Sequence, residues 1–263
     1  MTRIDKKFRE LAKGDKKAFI AYITAGDPNL AMTEKTVLAL ERSGVDILEL
    51  GIPFSDSLAD GPTIQAASQR ALRGKATLGK IFKSVKTLRD KTNIPIAFMT
   101  YYNPVLKYGL HRFIKDCRGN GVDGVIVPDL PFEEAEDLVR FAKRNGVATI
   151  FLAAPTSTRA RLRAIVKNSR GFIYYVSLTG VTGARKTLPE EIGSKVRLIK
   201  SMTSKPVCVG FGVSGPAQAK EIAEVSDGVI VGSALVKVIG EKGNLISRVS
   251  KFASNLARAI HSA

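Results

Sequence analysis

Eight short runs of β-branched and apolar residues recur along the chain: Ala18–Thr24, Ile47–Ile52, Ile94–Tyr101, Gly124–Pro128, Ala148–Ala153, Gly171–Leu178, Pro206–Phe211 and Gly228–Val231. Between them lie patterns with apolar residues at i, i+3 and i+4, as in Glu133–Ala142. Runs that are apolar on both faces and alternate with helices specify a parallel sheet covered by helices. Eight such units in 263 residues fit a closed (β/α)8 TIM barrel better than an open doubly wound sheet. No linker, charge block or low-complexity stretch divides the sequence, so one domain over 1–263 is expected. Thr2–Lys13 then forms an extra N-terminal helix over the amino-terminal end of the barrel. Helix starts are marked by Thr77, Pro131, Ser157-Thr158 and Ser214-Gly215-Pro216.

The barrel reading directs attention to the carboxyl ends of the strands, where such folds place their chemistry. The second exit carries two carboxylates. Glu49 sits inside the apolar run Ile47–Ile52, and eleven residues later Asp60 lies in a loop of Pro, Ser, Asp and Gly. By alternation Glu49 shares a face with Ile47 and Gly51, opposite Leu48, Leu50 and Ile52. If that face lines the barrel, Glu49 stands at the top of a largely apolar bore and its pKa rises. If it does not, Glu49 is a strand-end carboxylate in solvent. Asp60, before Gly61-Pro62, fits a turn former as well as a catalytic acid, and Asp56 fits a loop hydrogen-bonder.

Three late exits are rich in glycine: Gly180-Val181-Thr182-Gly183, Gly210-Phe211-Gly212 and Gly232-Ser233. Glycine lets backbone N–H groups approach an anion without a Cβ in the way, and Gly232-Ser233 also opens a helix. Barrels often hold a phosphate after strands seven and eight. A phosphorylated substrate is expected.

Other chemistries find less support. His111 and His261 stand alone and no cluster has metal-ligand spacing, so no metal is expected. Lys17 and Lys205 only border strands, which disfavours a Schiff base. Ser177 has no histidine partner in reach of sequence argument. The formal charge of +17, from 41 Lys and Arg against 24 Asp and Glu, is spread over amphipathic helices such as Lys80–Lys91 and Ala160–Lys167. No basic segment carries interleaved aromatics, so no nucleic-acid partner is expected. No apolar stretch approaches the roughly 20 residues of a membrane span. The charged amino terminus and the isolated Cys117 and Cys208 suit a cytoplasmic protein with reduced thiols.

Leu48–Asp56, Ala59–Gln65, Gly180–Gly183 and Gly210–Gly212, with Thr24–Pro28 and Tyr102–Pro104, are similar to the α subunit of tryptophan synthase. The resemblance covers nearly the whole chain. It implies a (β/α)8 barrel that cleaves indole-3-glycerol phosphate reversibly to indole and glyceraldehyde 3-phosphate without a cofactor. It also implies that Glu49 protonates indole C3 and helps remove the glycerol hydroxyl proton, while Asp60 binds the indole N–H. Tyr174 then stands near the glutamate and Thr182 contacts Asp60. Gly183, Gly212, Gly232 and Ser233 correspond to a phosphate cradle. Tyr22, Met99, Tyr101, Ile126, Val176, Phe211 and Ile230 fall where an indole pocket is expected. The implied partner is a beta subunit carrying pyridoxal phosphate, in an alpha2-beta2 heterotetramer, with loops 53–60 and 179–189 closing over substrate. A stand-alone lyase and a barrel that mainly activates the beta subunit are the other readings. The family usually has proline where this chain has Ser57, which implies a looser loop before Asp60.

Overall fold

The computed structural model describes residues 1–176, 188–210 and 212–263. Its strands are β1 (Ala18–Thr24), β2 (Ile47–Gly51), β3 (Ile96–Met99), β4 (Gly124–Ile126), β5 (Ala148–Ile150), β6 (Leu152–Ala153), β7 (Ile173–Val176), β8 (Val207–Gly210) and β9 (Gly228–Val231). All pair in parallel, in the order β5-β4-β3-β2-β1-β9-β8-β7-β6.

The two ends of that order, β5 and β6, are separated by Phe151 alone, so the chain itself closes the barrel. The expected fifth run is therefore two pieces. Its first half pairs with β4 and its second with β7. At the switch, the Phe151 N–H donates to Ser169 Oγ (3.3 Å) while its carbonyl accepts from the Tyr174 N–H (3.2 Å). The third run starts later than expected, at Ile96. Thr92 Oγ1 takes the Ile94 N–H (2.9 Å), and Pro95 has no N–H to give the ladder. The helix expected from Glu133 is likewise two pieces, a 3-10 turn Phe132–Glu134 and an α-helix Glu136–Asn145, joined at the buried Ala135.

Alternation divides each strand between two cores. In β1, Phe19, Ala21 and Ile23 pack outward under the helices, while Ala18 and Ile20 point into the barrel. The helix Arg3–Lys13 begins with reciprocal hydrogen bonds between Thr2 and Asp5. It drives Ile4, Phe8 and Leu11 against the interior residues Ala18, Ile47, Ala148 and Phe172. The amino-terminal end of the bore is thus plugged by apolar side chains, which leaves the carboxyl-terminal end open to a ligand.

Asp123, before β4, ties this plug to the sheet. It accepts from Arg3 (3.0 Å), Arg89 (3.1 Å) and the Ile96 N–H (3.0 Å). Burial draws the Arg89 guanidinium down to about 10, and its other bonds run to the carbonyls of Thr92, Ile94 and Gly121. Asp123→Ala leaves that buried cation and a strand N–H without their acceptor. The expected cost is about 3 kcal/mol, read as a lower urea midpoint at unchanged m.

Candidate active site

β2 resolves the question raised by Glu49. Leu48 and Leu50 pack outward and Ile47 inward, so alternation turns Glu49 into the barrel, across from Tyr22 on β1 and Ala97 on β3. Its exposure is 0%, and among the described residues neither carboxyl oxygen has a hydrogen-bond partner. Ionising it there means removing a charge from water without compensation. Burial alone therefore raises its pKa to about 8. Glu49 is a proton reservoir that a bound molecule can draw on near neutral pH.

Two tyrosines frame it, each leaning over a glycine of the adjacent strand. A Cβ at Gly51 would lie 2.2 Å from the Tyr22 hydroxyl oxygen, and one at Gly210 would lie 2.4 Å from the Tyr174 ring. Both phenols are pushed up, first by burial and then by the charges of Glu49 and Asp60. These tyrosines therefore stay neutral. Gly51→Ala is expected to cost about 1–3 kcal/mol by overpacking. Adding Tyr22→Leu should recover most of that, as compared by urea midpoints.

Asp60 approaches from the loop after β2: its neighbours Ala59 and Gly61 line the cavity, and its charge acts on Tyr22 and Tyr174. The Tyr101 hydroxyl accepts from the Ala59 N–H (2.9 Å) and stands near enough to the Asp60 carboxylate to hold its pKa down. Phe54 packs on the Tyr101 ring at 5.6 Å between centroids. Partial burial raises the Asp60 pKa and the Tyr101 hydroxyl opposes it. The Asp60 N–H makes a turn bond to the Ser57 carbonyl (3.1 Å), and its side chain lies near the Tyr101 hydroxyl. Asp56 is exposed and makes no side-chain bond among the described residues.

A cavity of about 900 Å³ opens above Glu49. Tyr22, Met99, Tyr174, Val176 and Ile230 form its walls; Ala59, Gly61, Thr63 and Ile64 bring the Asp60 loop to its edge. Gly212, Gly232 and Ser233 lie on another side. The helix Ser233–Gly240 has no side-chain cap, so its first N–H groups and its dipole are available to an anion. A Cβ at Gly212 would meet nothing within 4 Å. Nothing in the described protein needs glycine there, which fits a site left bare for a ligand.

Not every expected lining residue belongs to this wall. Ile126 is fully buried with Ile20, Ile150 and Phe172 and does not reach the cavity, although its partner in register, Met99 of β3, does. Tyr101 contributes through Asp60 and does not line the cavity. Thr182, Gly183 and Phe211 lie outside the described residues. Sequence reasoning missed Thr63, Ile64 and Lys237. The first two follow Pro62 at the start of a helix, and Lys237 lies one helical turn beyond Ser233. A second cavity of about 730 Å³ opens at the plugged end, where Asp46 and Asp123 are already engaged by backbone N–H groups, His261, Arg3 and Arg89. Among the described residues no group of His, Cys, Asp and Glu could hold a metal ion, and no helix is long and apolar enough to cross a membrane.

The model of the family described as tryptophan synthase alpha chain matches residues 8–262. A tryptophan synthase alpha chain of Geotalea daltonii is 54% identical over 237 residues, covering 90% of each protein. That of Thermoanaerobacter sp. is 46% identical over 263 residues, covering 99% of this chain and 100% of the relative. Among solved structures, tryptophan synthase subunit alpha from Legionella pneumophila superposes with a TM-score of 0.92 at 36% identity, covering 99% of this chain and 98% of that one. With nearly full coverage in sequence and in structure, the chain belongs to the tryptophan synthase alpha chain family.

Proposed function

We propose that Glu49 and Asp60 divide between them the chemistry of one carbon–carbon cleavage. As an alpha chain of tryptophan synthase, the protein converts indole-3-glycerol phosphate to indole and glyceraldehyde 3-phosphate. The observation that carries the assignment of roles is Glu49, wholly buried and without a hydrogen-bond partner among the described residues, in a cavity that an uncapped helix start also lines.

In the first step the Glu49 carboxyl gives its proton to indole C3, and positive charge develops on the ring nitrogen. Asp60 accepts a hydrogen bond from the indole N–H and stabilises that charge. The Glu49 carboxylate then takes the proton from the glycerol hydroxyl next to the ring. The O–H electron pair forms the aldehyde carbonyl, the C–C bond breaks, and its electrons return to the indole. Glu49 ends protonated, ready for the next turnover. One carboxyl serves as acid and then as base, which its pKa of about 8 permits near neutral pH. Gly212, Gly232 and Ser233 would hold the phosphate, while Tyr22, Met99, Tyr174, Val176 and Ile230 would enclose the ring. The chemistry needs no cofactor on this chain.

The same reading pairs the chain with a beta subunit in an alpha2-beta2 assembly in the cytoplasm. Leu58 is 82% exposed and Leu106 63%. Leu58 lies in the loop after β2 and Leu106 in the helix Tyr102–Tyr108 after β3. Exposed large apolar side chains suit a protein partner. Cys117 and Cys208 are buried and unpaired, as in a reducing compartment.

The test is indole release from indole-3-glycerol phosphate by the purified chain, with and without a beta subunit. Slow release that accelerates with the beta subunit supports the proposal. Fast release without it favours a stand-alone lyase. No release in either case, with the beta subunit still activated, leaves a regulatory barrel. Ser57→Pro in the same assay is expected to change turnover or activation by the beta subunit, since it alters the turn that places Asp60.

A further inference from the structure

We propose that Gln65 is a positioning residue that holds the Asp60 loop in its working geometry; the inference rests on the function proposed above. Gln65 lies in the first turns of the helix Pro62–Arg73 and closes the motif Ala59–Gln65. Its carboxamide nitrogen donates to two loop carbonyls, Asp60 (2.9 Å) and Ser57 (3.3 Å). The Ser57 carbonyl also accepts the Asp60 N–H (3.1 Å). Three hydrogen bonds thus enclose the four-residue turn that carries the acid.

The clamp is only as firm as its base. Ala67, Ser68 and Ala71 bury the helix against the barrel, and Arg70 makes two bonds to Asp27 at the exit of β1 (2.8 and 2.7 Å). Among the described residues the loop it holds has little other support: Ser55, Asp56, Leu58 and Ala59 are exposed, and Ser57 alone among Ser55–Asp60 is buried. Tyr101 takes the Ala59 N–H and stands near the Asp60 carboxylate, whereas Gln65 fixes the Asp60 backbone from the helix side. Both are needed to aim a carboxylate, because a loop free to shift by an ångström misplaces its side chain whatever that side chain bonds to.

Gln65→Met keeps the length of the side chain and removes both donors. Gln65 is only half-buried, so the fold should survive, and kcat for indole-3-glycerol phosphate cleavage is expected to fall about tenfold with KM little changed. In an Asp60→Asn chain the same substitution should change kcat less than about twofold, because groups acting as a unit are not additive. A merely structural role would cost the same in both backgrounds. Wild-type kcat in Gln65→Met, or an equal loss in both backgrounds, overturns the proposal. Amide hydrogen exchange at Asp60 separates this inference from the functional one. Exchange should be about tenfold faster in Gln65→Met even if the wild-type chain releases no indole, and unchanged exchange would overturn the clamp.

Discussion

Glu49→Gln is expected to lower kcat for cleavage of indole-3-glycerol phosphate by about a thousandfold or more, with KM within a few-fold. Glutamine fills the same volume but can neither give up nor accept the proton that both half-reactions need. The variant should also be more stable than the wild type at alkaline pH. Below pH 4.5 Glu49 is protonated in both the folded and the unfolded chain. Between 4.5 and about 8 the unfolded chain releases a proton that the folded chain keeps. Folded stability therefore falls as pH rises through that window, by about 1.4 kcal/mol per unit, and levels off above 8. Glutamine lacks this slope. Urea unfolding at pH 5, 7 and 9 should show the gap between variant and wild type opening by several kcal/mol. Equal gaps at all three pH values would mean that Glu49 is solvated and ordinary.

Asp60→Asn is expected to reduce kcat about a hundredfold, the loss typical of removing one preorganised electrostatic contact to a developing charge. Asparagine can still accept the indole N–H through its carbonyl, so KM should move little. What disappears is the negative charge that matters only once the ring nitrogen becomes positive. Tyr101→Phe should lose less, about tenfold. It keeps the Asp60 side chain but removes the hydroxyl that takes the Ala59 N–H and opposes the rise in the Asp60 pKa. If Asp60→Asn and Tyr101→Phe together cost no more than Asp60→Asn alone, the hydroxyl acts through the carboxylate.

What could be read from the sequence was set by how local the physical cause is. Glu49 stood out because a carboxylate in an apolar strand is costly wherever the strand lies. The glycines at 212 and 232 stood out because backbone donors need room near an anion. The resemblance put Ile126 in the pocket, but it is fully buried off the cavity, since which inward side chain reaches the cavity depends on how all the strands pack together. The break at Phe151 depends on which strand closes the barrel, a long-range matter. The pairings of Tyr22 with Gly51 and Tyr174 with Gly210 need the parallel register, in which the ring of one strand crosses the bare backbone of the next. Gln65 belonged to a noticed motif, but its role appears only when the helix brings its carboxamide to the Ser57 and Asp60 carbonyls. The expected contact of Thr182 with Asp60 and the places of Gly183 and Phe211 lie outside the described residues.

The central claim is that a buried carboxyl group, without a hydrogen-bond partner among the described residues, changes protonation state near neutral pH. Infrared difference spectra of the wild type against Glu49→Gln, taken from pH 5 to pH 10, measure that group directly. The account predicts a protonated-carboxyl band, absent from the variant, that disappears with a midpoint near 8. A midpoint near the ordinary glutamate value, or no band above pH 6, would contradict it.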